Sequence, residues 1–378
     1  MGNLFTGLMS GTSLDGIDAV LLDIDSEGLA LIGAWHTPYA PELRAALLTV
    51  VNRGEARLET LGQLDSQLAD AYAACATALW AAQGVTAEQI AAVGCHGQTL
   101  WHAPQGLHPF TWQAGDPHRL AEQLGVTVVA DFRRRDVAAG GQGAPLVPAF
   151  HADVFSAPAE DRLVLNLGGI ANLTWLPREG AVLGFDTGPA NGLLDAWVQQ
   201  CRQQPYDADG AFAASGQVLP ALLERLCAEP WLATPPPRST GRELFNLPWL
   251  EHTAGALLTN ANPADVQATL AQFTADTVVL ATRFLPALPR RVILCGGGTA
   301  NHDLQRRLQA AFANAAQQRG HAPPPSIDSS AVHGIDPQQV EAAAFAWLAW
   351  RTLNGLPGNL PAVTGARGPR VLGCVVPS

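Results

Sequence analysis

Apolar residues gather in short, nearly unbroken runs near the start of the chain. Asn3–Met9 reads as a strand that breaks at Ser10-Gly11-Thr12-Ser13, Ile17–Ile24 as a buried strand, and Leu29–Thr37 as a third. Three strands joined by tight turns predict a meander, unlike the strand–helix alternation that opens a Rossmann domain. The spacing then changes. Pro41–Asn52 and Arg57–Gln83 read as helices, the second with Leu61, Leu64, Leu68 and Tyr72 in an apolar stripe near helical period. Ile90–Cys95 is predicted as a strand ending in the turn His96-Gly97-Gln98-Thr99, Pro117–Leu124 as a helix and Val126–Ala130 as a strand.

A second meander opens at Arg162–Leu167, turns at Gly168-Gly169, returns along Ile170–Leu176, and adds Ala181–Phe185 before Asp186-Thr187-Gly188-Pro189. Helices are expected over Asn191–Gln203, Leu219–Cys227 and Ala264–Leu285. The strand Arg291–Leu294 and the run Cys295-Gly296-Gly297-Gly298 follow, then helices from about Asn301 to Arg319 and over Pro337–Leu353. The same pattern thus occurs twice, about 160 residues apart, with little residue identity between copies. Two such halves predict a central cleft with one hairpin on each wall. The proline-rich stretches Thr234–Arg238 and Ala322–Pro325 read as surface loops, because neither separates the halves.

Composition narrows the choice of function. At 378 residues, with 48% hydrophobic and 15% charged residues, the chain predicts two packed globular domains. A net charge of -11 disfavours nucleic acid and anionic membrane as partners. An anionic nucleotide stays open, since backbone N–H groups and Mg²⁺ hold phosphate without net positive charge. None of the six cysteines forms a CxxC pair, which argues against a zinc site and predicts free thiols. With no secretory leader pattern and no membrane-length apolar run, a cytoplasmic location is expected.

The turn within Gly7–Asp18, GLMSGTSLDGID, puts small and hydroxyl residues between two strands, where backbone N–H groups converge on an anion. It is no Walker A loop, for it lacks GK[ST] and joins strand to strand. Leu165–Thr174, LNLGGIANLT, is the matching hairpin of the second half. Together the two hairpins could pinch the phosphates of a nucleotide. Asp186 closes a buried strand beside glycine turns, a common catalytic placement, and the helix beginning just downstream is expected to favour its ionised form. Asp195, inside that helix, reads as a supporting or surface group. Cys295–Asn301, CGGGTAN, offers a flat glycine surface for a purine ring. Asp131 and Arg133, in the glycine-rich stretch Ala130–Pro148, suggest a hinge and part of a sugar pocket. His96 and Gln98 read either as structural groups or as substrate contacts, and Glu341 as a surface or a cleft residue.

Taken together, GLMSGTSLDGID, GCHGQT, ADFRRRDVAAGGQGAPLVP, LNLGGIANLT, GFDTGPANGLLDAW, STGRELFNLPWL, CGGGTANHDL and EAAAFAWLA resemble the anhydro-N-acetylmuramic acid kinase family of the actin/Hsp70/sugar-kinase superfamily. Ala190 stands where that family commonly has glycine, and Cys95 where serine is common. The resemblance implies an α/β fold of duplicated actin-like ATPase (ribonuclease H-like) domains, two lobes around a central cleft. The N-terminal lobe is expected over 1–130, completed by about 355–378, and the C-terminal lobe over 131–354. Also implied are ATP and Mg²⁺ as cofactors, an anhydro-amino sugar as substrate, a homodimer, and phosphorylation coupled to opening of the sugar's internal ring.

Carried onto this chain, Asp186 is the implied catalytic base. The ATP site is implied at Gly11, Thr12, Ser13, Leu14, Asp15, Gly16, Ile17, Asp18, Gly168, Gly169, Asn172, Gly296, Gly297, Gly298 and Asn301. His96, Gln98, Asp131, Arg133 and Glu341 are assigned to the sugar pocket. The alternatives are another sugar kinase of this fold acting on a free hydroxyl, or a non-catalytic actin-like ATP-binding module.

Overall fold

The computed structural model describes residues 3–26, 28–321 and 323–378. Ala322, which opens the second proline-rich loop expected from sequence, lies outside them. The chain divides into two compact units, one running to Phe150 and resuming at Gln339–Ser378, the other His151–Gln338. Boundaries at 130 and 354 are expected from the sequence. Here residues 131–150 and 339–354 instead belong with the first unit.

The first unit is built on a meander of β1 (Leu4–Met9), β2 (Gly16–Ile24) and β3 (Leu29–Pro38). After two helices come β4 (Ile90–Cys95), the hairpin β5 (Gln98–Ala103) and β6 (Phe110–Ala114), and β7 (Val128–Ala130). Its main sheet runs β3-β2-β1-β4-β7, antiparallel through the meander and parallel from β1 to β7. A C-terminal strand, Cys374–Val376, closes the edge antiparallel to β7. The β5–β6 hairpin was not foreseen, and its first strand takes up residues expected to form a turn.

Gly7 and Gly94 are register partners on β1 and β4. An added Cβ on either would fall 2.0 Å from a carbonyl oxygen of the helix Val340–Leu353, that of Ala342 or of Phe345. Bare backbone at these two points lets the helix lie directly on the sheet. The helix is buried almost continuously from Ala342 to Ala349 and is apolar all round to match. On the other face, Leu64, Leu68, Tyr72 and Leu79 of the helix Leu58–Gln83 pack into the core.

The second unit repeats the arrangement with β8 (Arg162–Leu167), β9 (Ile170–Leu176), β10 (Leu183–Pro189), β11 (Arg291–Cys295) and β12 (Ser326–Ser329). Its order is β10-β9-β8-β11-β12, again an antiparallel meander followed by a parallel pair. Two sheets sharing this order are the duplicated ribonuclease H-like, actin-like fold. Among the described residues no helix is long and apolar enough to cross a membrane.

Candidate active site

In the second unit, Asn166, Asn172 and Asp186 are successive cross-strand partners on β8, β9 and β10. Directly opposed residues share a face, so the three polar side chains form one row. The register of β10 slips immediately after Asp186, and such an irregularity re-aims a side chain at the end of regular pairing. The strand continues through Asp186 to Pro189, and the helix that follows starts at Asn191 with Ala190 at its cap. Asp186 is therefore not a helix cap. Its carboxyl is pushed up to about 6 by burial, against the lowering effects of the Thr240 N–H and Arg238, with Glu243 adding to the rise. The expectation that a helix terminus would set its charge is replaced by desolvation held in check by two neighbours from residues 238–240.

Those neighbours were missed in the sequence. Thr240 N–H donates to Asp186 Oδ2 at 2.9 Å, and Arg238 Nε donates to the Asp186 carbonyl at 2.8 Å. Arg238 lies in a stretch expected to be a surface loop, yet it is 9% exposed. Asp195 also departs from the reading given to it. It is half-buried, and burial raises its carboxyl to about 7, with Arg242 lowering and Asp207 raising it.

The Gly168-Gly169 turn is docked through its carbonyls, which accept from the N–H groups of Ala190, Asn191 and Gly192 at 3.0–3.1 Å. Asn191 Nδ2 donates to the Leu167 carbonyl at 2.8 Å, tying the same helix start to the hairpin. Gly296 is required by close packing: its φ is 83°, and a Cβ there would meet Asn166 Oδ1 at 2.3 Å. Asn301 Oδ1 caps the next helix by accepting from Leu304 N–H at 2.9 Å, which leaves its amide nitrogen for other contacts.

In the first unit, the turn after β1 exposes Thr12, Ser13 and Asp15 and half-exposes Gly11 and Asp18. Leu14 and Ile17 point into the core, so only their backbone can face a ligand. Ser13 Oγ donates to Asp15 Oδ1 at 2.8 Å, and Leu14 takes a left-handed φ of 56° to make the bend. Gln98 is fully buried. Its amide donates to the Gly11 carbonyl at 3.2 Å and accepts from Tyr39 Oη at 3.1 Å, so it braces this turn from beneath.

A second group forms around Arg133. Its Nε donates to His96 Nε2 at 2.9 Å, and its Nη1 to the Gly143 carbonyl at 2.8 Å. Burial and Arg133 together hold the His96 imidazole well below its ordinary value. Its Nδ1 is buried and meets no acceptor at hydrogen-bond geometry. Glu341 keeps solvent access at the first turn of its helix. The dense protein around its carboxyl nevertheless raises its pKa, with Arg133 opposing the rise and Asp18 adding to it. Asp18, whose pKa burial also raises, accepts from His36 Nδ1 across the β2–β3 pair at 2.8 Å. Asp18, Glu341, Arg133 and His96 thus form one electrostatic cluster.

Asp131 does not join it. With a φ of 58°, Asp131 turns to Arg134 at 3.6 Å and lines a cavity of about 400 Å³ with Arg135, Val371, Gly373 and Cys374. The glycine-rich stretch expected as a hinge is folded: Phe132–Ala138 is a helix, and the carboxylate of Asp136 accepts from Gly143 N–H at 2.8 Å.

The family model described as anhydro-N-acetylmuramic acid kinase matches residues 3–378. Proteins of that name from Xanthomonas campestris pv. campestris (strain 8004) and Xanthomonas axonopodis pv. citri (strain 306) are 53% and 52% identical over 379 aligned residues. These alignments cover 99% of this chain and 97% and 98% of theirs. The protein of that name from Xylella fastidiosa (strain Temecula1 / ATCC 700964) is 50% identical, covering 99% of this chain and 96% of its own.

Proposed function

Since the chain belongs to the anhydro-N-acetylmuramic acid kinase family, we propose that it uses ATP to convert 1,6-anhydro-N-acetylmuramic acid into N-acetylmuramic acid 6-phosphate and ADP. The reaction would return an amino sugar of the cell wall to metabolism in the cytoplasm. The full-length family match carries this reading, and the buried carboxylate of Asp186 supports it chemically.

An anhydro-sugar has no free 6-hydroxyl to deprotonate. Asp186 instead takes a proton from water as that water attacks the anomeric carbon. The bond from the anomeric carbon to O6 breaks, and O6 takes the γ-phosphoryl group as its bond to ADP breaks. A base whose pKa is about 6 is ionised near neutral pH and still accepts a proton readily. Such assistance contributes about 10²–10⁴-fold.

The residues Gly11–Asp18 would take the phosphates, with Gly168, Gly169 and Asn172, while Gly296–Gly298 and Asn301 would take the nucleoside. His96, Arg133 and Glu341 are the proposed sugar contacts, with Gln98 acting through the turn it braces. Asp131, turned toward Arg134, remains the weakest fit to the sugar.

Among the described residues no group of three or more His, Cys, Asp or Glu is arranged to hold a metal. Mg²⁺ binds through one or two carboxylates plus phosphate oxygens and water. Asp18 and Glu341, each with a raised pKa, are the carboxylates that would hold it. When bound, Mg²⁺ supplies charge neutralisation on the transferred phosphoryl group.

The test is turnover of the anhydro-sugar with ATP in ¹⁸O-labelled water. Label should appear at C1 of the product, and Asp186→Asn should bind ATP while losing nearly all turnover. Unlabelled product would mean a kinase acting on a free hydroxyl. ATP binding without sugar-stimulated consumption would mean a non-catalytic module. Light scattering checks the homodimer that the family resemblance implies.

A further inference from the structure

Arg238 is an unusual residue to find beneath a carboxylate, because its charge is buried without a direct ion pair among the described residues. Its hydrogen bonds go to carbonyls instead. Nε reaches Asp186 at 2.8 Å, while Nη1 reaches Leu232 at 2.9 Å and Thr234 at 3.0 Å. The guanidinium lies 4.6 Å from the ring centroid of Trp231, 5.1 Å from Phe284 and 5.4 Å from Phe185. Aromatic faces compensate a desolvated cation in part. A buried charge remains costly, so retaining one here calls for a task that an apolar side chain cannot perform.

The backbone shows what the task is. The carbonyl of Arg238 accepts from Asp186 N–H at 3.4 Å while its own side chain donates to the Asp186 carbonyl. Two residues on, Thr240 N–H meets the Asp186 carboxylate. The segment therefore grips Asp186 at its N–H, its carbonyl and its carboxylate. Five residues further, Phe245 anchors the same segment in an aromatic cluster with Trp231, Trp249 and Phe273.

We propose that Arg238 is a positioning residue for Asp186, fixing the carboxylate in place through the segment 238–240. The proposal rests on Asp186 being the general base. The charged groups acting on Asp186 are Arg238 and Glu243, and Arg283 acts on Arg238 in turn. Of these, Arg238 both lowers the carboxyl's pKa and bonds directly to the residue. Lysine would keep the charge but, as a single ammonium on a flexible stem, would not span the Asp186, Leu232 and Thr234 carbonyls.

The experiment compares Arg238→Met, Arg238→Lys and Asp186→Asn with the unaltered full chain. It measures kcat and KM across pH for the anhydro-sugar, and ATP affinity by calorimetry. A displacement of about 1 Å at a reacting group costs about 100-fold. Arg238→Met should therefore lose about 100-fold in kcat with ATP affinity within about 3-fold, and the acidic limb of kcat should move to higher pH. The sign follows from removing a cation that favours the carboxylate. Arg238→Lys should leave that limb in place yet still lose rate, and it carries the test should Arg238→Met fail to fold.

Near-normal kcat in a folded Arg238→Met, or in Arg238→Lys, overturns the proposal. So does a rate loss in Arg238→Met with the acidic limb unmoved, which is what a merely structural role would give. Activity surviving in Asp186→Asn overturns the base assignment itself, so the two failures are distinguishable.

Discussion

Arg133 Nε donates to Nε2 of the buried His96 at 2.9 Å, so the imidazole carries its single proton on Nδ1 and enters the site uncharged. Burial, and then Arg133, depress its pKa well below the usual 6.5. Nitrogen NMR of the ring should show no titration of His96 between about pH 5 and 8, where an unperturbed histidine would change charge. Linkage gives the stability consequence. Stability tied to this group is fully present above about pH 6.5 and is lost as pH falls toward the depressed folded value. Urea unfolding of His96→Gln should therefore weaken less on acidification from pH 7.5 to 5 than the unaltered protein does.

Asp195 predicts the opposite slope. Its folded pKa is raised to about 7 by burial. Its stability contribution is therefore fully present below about pH 4, the unfolded value, and is lost as pH rises through about 7. Asp195→Asn should melt a few degrees above the unaltered protein at pH 8, with the gap closing toward pH 4. A gap that widens on acidification would contradict the assignment.

The glycine seat beneath the helix Val340–Leu353 gives a purely steric test. Gly7→Ala and Gly94→Ala each drive a Cβ into helix backbone, which cannot rotate away, and should cost about 3 kcal/mol or more by urea unfolding. Gly62, within the helix Leu58–Gln83, has open space around its Cβ position. Gly62→Ala should stabilise by about 0.5–1 kcal/mol.

Asp136 links the far end of the chain to the Arg133 group. Its buried carboxylate accepts from Asn359 Nδ2 at 2.6 Å, Thr364 Oγ1 at 2.8 Å and Gly143 N–H at 2.8 Å. Asp136→Ala strands these donors and should destabilise by about 3 kcal/mol or more. Because Gly143 in turn holds Arg133, the variant should also raise KM for the sugar more than KM for ATP.

The buried strands of the two meanders were legible because they write themselves as short apolar runs; β4, β8 and β9 fall at the residues expected for them, whereas β10 lies two residues further on than expected at its start. The β5–β6 hairpin was not legible. Its Trp101 and Phe110 are exposed, so no one-sided pattern marks it, and its connection passes through Pro104 and Gly106. In the site, Asp186 announced itself by following an apolar run among glycines, although its strand runs on to Pro189. Arg238 and Thr240 could not be found that way, since they reach Asp186 from 52 and 54 residues along the chain. Gln98 and Asp131 show the complementary limit: sequence places a polar residue near a site but does not say which way its side chain turns.

The strand Cys374–Val376 and the helix Val340–Leu353 complete a sheet whose first strand is Leu4–Met9. The first unit is thus interrupted in sequence by a second that is continuous. During synthesis, β1 and β7 must wait for the helix and the strand that cover them. At roughly 5–20 residues per second that wait is on the order of 10 to 45 s, during which the outer edge of β7 and the glycine seat lie uncovered. The inserted unit has its last strand, Ser326–Ser329, in hand only just before the helix Val340–Leu353 is made, so the first unit's sheet stays open through the whole synthesis of the second. Any factor that shields nascent chains of this protein would have its binding site on the unit that emerges first.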